Sequence, residues 1–359
     1  MIRKTYLYVM FLTAILFMAG CAVHQWPEPR LVPPDPEPDS VRQVTIRLHY
    51  ESDLWLWEHL YDPKLEKPEE LYPDSGVDSE HPGTSAVYSN EISSGVMSIR
   101  LRVYNVGNTD DIIQEHIIDH ELSAGYDCEV ALELTSGNYE VAVWSHLLES
   151  SDVAPFYEPA NFSTIYILDD NYCGNTDYRD GYCGRSSFAI TKEESIGTYN
   201  CDVVMRRPMG KFEFVTTDLS EFLDRETERR SLSVPAGIDD YRVIISYPYY
   251  YPNAYNMIAD DIASGSGYSF ETKMTVTGTS EASLGFDYVF IKNIRDGAVQ
   301  AQVSVYDIDG TCVAASRVIM VPIRRDHHTV LRGTFLSMDS EGGVGVNPDY
   351  DGDHNVTIP

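Results

Sequence analysis

Met97-Ser98-Ile99-Arg100-Leu101-Arg102-Val103 sets an apolar side chain at every second position, with serine or arginine between. A period of two is that of a β-strand, whose successive side chains point to opposite faces of a sheet. One apolar face and one wet face imply a sheet that packs on a core from one side only, as antiparallel sheets do. Working outward, Val44, Ile46, Leu48 and Tyr50 repeat the pattern upstream, and Val130-Leu132-Leu134 and Tyr139-Val141-Val143 repeat it downstream. In the second half it returns in Phe212-Phe214, Val243-Ile245-Tyr247 and Val299-Ala301-Val303-Val305. Separated by Gly/Asn/Asp turns, such strands predict a mainly all-β fold built of β-sandwiches.

One short helix interrupts the pattern. Asp218 is placed as its N-cap, Glu221 stands three residues on as in a capping box, and Phe222 begins the apolar side. The helix is expected to run to about Arg230 and to end before Val234-Pro235. Arg206-Arg207-Pro208-Met209-Gly210 closes one strand set and opens another, and Pro208 bars a continuous ladder. The body is therefore divided into an N-terminal sandwich over 41–207 and a C-terminal sandwich over 208–359.

The start of the chain reads differently. Arg3 and Lys4 precede an apolar stretch from Tyr6 to Gly20, too short to span a bilayer and of the size of a signal-peptide core. It ends Leu16-Phe17-Met18-Ala19-Gly20-Cys21, which resembles the lipobox of bacterial lipoproteins. On this reading residues 1–20 are a lipoprotein signal peptide, and Cys21 is acylated and holds the chain on the outer membrane. The alternative is an ordinary secretory signal that contains a cysteine. Residues 21–40, with Trp26-Pro27-Glu28-Pro29 and Pro33-Pro34-Asp35-Pro36-Glu37-Pro38, read as a proline-rich tether. Proline fixes φ and supplies no donor, so this stretch should run extended.

Composition limits the partners. With 56 acidic against 26 basic residues the formal charge is −30, which repels phosphate backbones, and no basic stripe offsets it. Nucleic acid is excluded as a partner. Beyond Cys21 stand Cys128, Cys173, Cys183, Cys201 and Cys312, an odd number, so at least one thiol is free or pairs between chains. Cys173 and Cys183 bracket Gly174-Asn175-Thr176-Asp177-Tyr178-Arg179-Asp180-Gly181-Tyr182 and are the disulfide candidates. Closing so short a loop would contribute about 2.5–3 kcal/mol on the chain-entropy model.

A search for chemistry returns little. His116 and His120, four apart, could share zinc on a helix, but the isoleucines around them favour a strand. Asp307-Ile308-Asp309-Gly310 lacks the later ligands of a calcium loop and reads as a turn. Asp349-Tyr350-Asp351-Gly352-Asp353 is a denser acidic stretch, for which a solvated turn is favoured over calcium. There is no Gly-x-Ser-x-Gly elbow, Walker loop or nucleophile–base pair, so neither an enzyme nor a cofactor is expected. Tyr247-Pro248-Tyr249-Tyr250-Tyr251-Pro252 offers aromatic faces with polar tips, either as a sugar-stacking surface or as a loop packed on its own domain.

Several blocks together resemble the fimbrial anchor and minor fimbrial lipoproteins of type V pili from anaerobic Gram-negative bacteria. They are the lipobox at Cys21, Ser136-Gly137-Asn138-Tyr139-Glu140-Val141-Ala142-Val143-Trp144, Arg207-Pro208-Met209-Gly210-Lys211-Phe212-Glu213-Phe214, and Leu331-Arg332-Gly333-Thr334-Phe335-Leu336. The terminal Asn355-Val356-Thr357-Ile358-Pro359 follows them. The resemblance implies two tandem transthyretin-like β-sandwich domains, fimbrial subunits as partners, and assembly by strand donation. Val356 and Ile358 are then the strand-donor candidates, and an anchor would keep its own first strand, Val44 to Tyr50. The competing function is a surface lipoprotein adhesin that binds glycan or host protein without joining a pilus.

Overall fold

The computed structural model describes residues 41–61, 87–89, 92–168, 173–191, 198–231, 236–292 and 296–337. The expected signal peptide, Cys21, the tether, the acidic stretch from Asp349 and the donor candidates Val356 and Ile358 lie outside the described residues. In chain order the first strands are β1 (Arg42–Tyr50), β2 (Asp53–Tyr61), β3 (Val87–Ser89), β4 (Val96–Asn105), β5 (Asn108–Glu121), β6 (Cys128–Leu134) and β7 (Gly137–Leu148). There follow β8 (Tyr157–Glu158), β9 (Ile165–Ile167), β10 (Gly181–Ile190), β11 (Tyr199–Met205) and β12 (Met209–Thr216). After helix α1 (Leu219–Arg229) come β13 (Tyr241–Asn256), β14 (Asp261–Thr272), β15 (Thr275–Val276) and β16 (Ala282–Phe290). The last are β17 (Asp296–Asp307), β18 (Cys312–Ala315), β19 (Ile319–Arg324) and β20 (His327–Gly333). The fold is mainly β, as the alternation predicts, with α1 the one α-helix among the described residues.

The strands form two pairs of stacked sheets. In the first pair, a sheet ordered β11-β1-β6 faces one ordered β10-β7-β4-β5. Val44, Ile46 and Leu48 of β1, with Val130 and Leu132 of β6 and Val203 of β11, meet Ile99, Leu101, Val141 and Val143 of the facing sheet. Each such side chain contributes roughly 1.5–3 kcal/mol when fully buried. The second pair sets β15-β16-β12-β20-β2-β3 against β18-β17-β13-β9-β8, with β14 on β13 and β19 on β17. Its core joins Phe212 and Phe214 of β12 to Val243, Ile245 and Tyr247 of β13 and to Val303 and Val305 of β17.

Four strands of the N-terminal half, β2, β3, β8 and β9, lie in the second sheet pair, so the expected division at 207 does not separate the two sandwiches. β2 pairs in parallel with β20, from Trp55 opposite His327 to Tyr61 opposite Gly333. β9 pairs antiparallel with β13, Tyr166 opposite Ala254. β1 and β2, separated by Glu51 and Ser52 alone, thus lie in different sheet pairs.

The helix is where the sequence places it, but its cap is not. Asp218 makes no side-chain bond to the first turn. Its carboxylate instead accepts from Thr216 Oγ1, Ser337 Oγ and, at 3.3 Å, Leu336 N. The acid that reads as a cap therefore fixes the segment after β20, whose Phe335 and Leu336 are buried.

Candidate functional site

The first strand is the centre of its sheet. β1 pairs in parallel with β11, from Val44 opposite Tyr199 to Tyr50 opposite Met205. On its other edge it pairs antiparallel with β6, from Arg42 opposite Leu134 to Leu48 opposite Cys128. Both backbone edges are thus engaged, and Val44, Ile46 and Leu48 are 1%, 0% and 0% exposed. On the wet face His49 lies between Asp127 of the β6 approach (Nδ1 to Oδ2, 3.1 Å) and Asp202 of β11 (Nε2 to Oδ1, 3.2 Å). Those two hydrogen bonds favour the protonated ring and raise the His49 pKa above its ordinary value, and they link β1 to β11 and to the residue before β6.

At the end of β1 the chain crosses to the second sheet pair, and it does so beside another crossing. Glu51 N donates to Met205 O at 3.0 Å, which sets the β1–β2 link alongside the link from β11 to β12. Arg207 pins the two. Its Nε lies 2.9 Å from both Asp180 oxygens, Nη1 donates to Asp53 O at 2.9 Å, and Nη2 donates to Ser52 O and Tyr182 OH at 2.6 Å each. Arg207 and Asp180 side chains are both wholly buried. Burial opposes a charged guanidinium, but Asp180, Tyr182 and Tyr288 together outweigh it and raise the Arg207 pKa. A buried pair is tolerated only when its remaining donors and lone pairs are satisfied, and here the carbonyls of Glu51, Ser52 and Asp53 take the remaining guanidinium donors. Pro208 fits because its position needs no donor, and Gly210 is required because a Cβ there would stand 2.2 Å from Arg324 O.

The segment expected to close as a disulfide loop runs into the same junction, through a 3-10 turn at Asp177–Arg179 that leads into β10. Both Cys173 and Cys183 are free thiols. One end of the segment is held on β16 by Asn175 N donating to Phe286 O at 2.7 Å. The other end is held at Arg206, which exchanges two 2.9 Å backbone bonds with Cys183. Between them, Asp177 takes Lys211 Nζ at 2.6 Å and Tyr288 OH at 2.7 Å, and buried Arg179 donates from Nη2 to Tyr251 OH at 2.9 Å. Tyr247 OH donates to buried Asp287 at 2.6 Å. Burial pushes the Cys183 thiol up to about 12, so it stays protonated and unreactive.

The remaining candidates fall into place on β5, β13 and the turn after β17. His116 and His120 lie on strand β5 with separate partners: Gln114 Oε1 at 3.3 Å for the first, Gly125 O at 2.8 Å for the second. Asp307 caps its turn, Oδ1 accepting from Asp309 N at 3.0 Å and Thr311 N at 2.8 Å, while Gly310 takes φ +79°. The tyrosine run divides: Tyr247 and Tyr251 are buried, and Tyr249 and Tyr250 are exposed. Arg179, Asp180 and Arg207 carry the junction, and residue pattern did not reveal them. The available signal was the Arg-Arg-Pro step at the expected boundary, together with an Arg-Asp pair inside a loop rich in tyrosine.

Fold and junction together define a class: a mainly β chain of two stacked sheet pairs, joined by paired crossings around a buried arginine. The chain belongs to a family of unknown function, DUF6562, which matches residues 78–359. No curated protein matches it. Among solved structures it is similar to a candidate adhesin from Bacteroides thetaiotaomicron, with 12% identity over 78% of this chain and 81% of that one and a TM-score of 0.43. It is similar also to the fimbrial anchor protein Mfa2 from Porphyromonas gingivalis, with 9% identity over 76% and 81% of the two chains and a TM-score of 0.38. A third is a fimbrial assembly protein from Parabacteroides distasonis, with 9% identity over 79% and 100% and a TM-score of 0.33.

Proposed function

We propose that this protein is a lipid-anchored structural subunit of a cell-surface fimbria, an anchor or accessory pilin that acts by β-strand complementation. The observation that supports the reading is the position of β1. A subunit inside a fibre of this kind takes its missing strand from a neighbour, whereas a subunit at the base must fill that place itself. Here β1 is bonded on both edges within its own sheet and buried along one face, which supports that role. In this reading acylated Cys21 sits in the outer membrane, residues 21–40 space the body from it, and the body comprises two sandwiches, the second of which includes β2, β3, β8 and β9. The far end, with Val356 and Ile358, pairs with the next fimbrial subunit. The role is structural rather than catalytic. Exposed Tyr249 and Tyr250 support the second reading, a surface adhesin.

The test compares Cys21→Ser with a deletion of residues 355–359. The first should release the chain from the membrane fraction together with its fimbrial partners. The second should leave it folded and membrane-bound but free of them. Membrane retention of Cys21→Ser, or fimbrial co-purification of the deletion, contradicts the reading.

A further inference from the structure

The outer face of the β10-β7-β4-β5 sheet is roofed by the segment around β8, and the roof is incomplete. Tyr157 packs edge-on against Trp144 and His146, with ring centroids 5.5 and 5.7 Å apart, and Ala160 O accepts Arg102 Nη2 at 2.7 Å. Beside this contact a cleft of about 300 Å³ remains, with Ser98, Arg100 and His146 lining it from β4 and β7. Asp119 of β5 and Glu158 of β8 stand at its sides.

His146 is 4% exposed, and its Nδ1 accepts the Trp144 indole N–H at 3.2 Å. Its Nε2 has no hydrogen-bond partner among the described residues. Burial, and then Arg100, hold the imidazole down at about 4, so the ring is neutral at physiological pH. A neutral ring that accepts at Nδ1 carries its proton on Nε2, an atom closed to solvent, so His146 forms the floor of the cleft and offers it no donor. Arg100, which lines the cleft, does keep donors. Arg102 Nε takes the Glu115 carboxylate at 2.7 Å, and Arg100 Nη1 reaches it only at 3.7 Å, beyond hydrogen-bonding distance.

We propose that this cleft binds one neutral pyranose ring of a glycan. Ser98 and Arg100 present donors that seek oxygen acceptors, while Asp119 and Glu158, whose Oε1 already accepts from Ala160 N at 2.9 Å, are acceptors with room for further donors. A hydroxyl group does both, so a ring of neighbouring hydroxyls satisfies the two sides together. A carboxylate ligand would meet Asp119 and Glu158 on a chain of net charge −30, and an amine would meet Arg100. Exposed Ile117 and Val153, both in the cleft wall, offer apolar surface to the C–H faces of the sugar. The volume lies at the small end of ligand pockets and suits a single ring. The assignment rests on neither the fimbrial reading nor the exposed tyrosines.

Titration of the full-length chain with glucose, galactose, mannose and N-acetylglucosamine, followed by nuclear magnetic resonance of the His146 imidazole and the Trp144 indole, tests it. At least one neutral sugar should shift both signals saturably in the millimolar range. Arg100→Gln and Asp119→Asn should each weaken binding about 10-fold or more, the loss expected for a hydrogen bond to a charged group. Both side chains lie at the edge of the cleft, and an unchanged melting temperature shows that the variants are folded. The proposal is overturned if no neutral sugar moves the two signals, if folded variants bind as the wild type does, or if glucuronate alone binds.

Discussion

The Arg207 guanidinium holds the Asp180 carboxylate through Nε, 2.9 Å from both oxygens, with neither side chain exposed to water. Removing either partner leaves a buried charge uncompensated, at a cost of about 3–5 kcal/mol. Arg207→Met and Asp180→Leu should each lower stability by that order in denaturant unfolding. The double variant removes both charges but still orphans the Ser52 and Asp53 carbonyls that Arg207 satisfies. It should therefore recover only part of the loss. Full recovery would mean that the carbonyls of the β1–β2 link contribute nothing.

His49 gives the first sheet pair a pH dependence of known sign. Its pKa is raised in the folded protein by hydrogen bonds to Asp127 and Asp202, so its stabilising effect is complete below the unfolded value of about 6.5. The effect fades as pH rises through the folded value. Melting temperatures of the wild type and His49→Gln should differ most near pH 6 and converge in alkali. Because the ring is 48% exposed, the difference is small and should shrink in high salt. A gap that widens with pH would reverse the assignment.

Asp326 also favours the folded state at low pH, here because its ionised form is penalised rather than because its protonated form gains partners. Burial lifts its carboxyl from 3.8 to about 6, with Arg207 pulling back and Asp180 and Glu51 adding to the rise. Between these values the folded state binds the proton more tightly than the unfolded one, so stability falls as pH increases from about 4 to 6. The residue stands at φ +56°, a conformation asparagine tolerates. Asp326→Asn should raise stability at neutral pH, on the order of 2 kcal/mol. It should have no effect near pH 3, and equal effects at both pH values would show that the carboxylate is not the cause.

The fold was legible wherever a segment answers to one face of one sheet. Met97 to Val103 and Val44 to Tyr50 alternate because burial on one side is decided locally, strand by strand. The junction was not legible in the same way. Asp180 and Arg207 are polar residues that find each other across a crossing, and no period marks them. The same reason explains Asp218, which reads as a helix cap from its neighbours but is engaged by Ser337, more than a hundred positions on. The paired cysteines suggested a closed loop because they are near in sequence. Tertiary contacts instead draw Asn175 toward Phe286 and Cys183 toward Arg206, and hold the segment open. The place of β1 at the centre of its sheet, between one parallel and one antiparallel partner, emerges only from the assembled sheet.

The central claim is that β1 stays in its own sheet while the subunit works, and a covalent lock tests this directly. Leu48 stands opposite the native Cys128 in the antiparallel β1–β6 pair. Facing residues in such a pair have Cα atoms about 4.5–5.5 Å apart, within reach of a disulfide. Leu48→Cys, oxidised to join Cys128, should capture as many fimbrial subunits from the envelope as the wild-type chain does. Capture that is lost on oxidation and restored by reduction would show that β1 must leave its sheet, and would contradict the account.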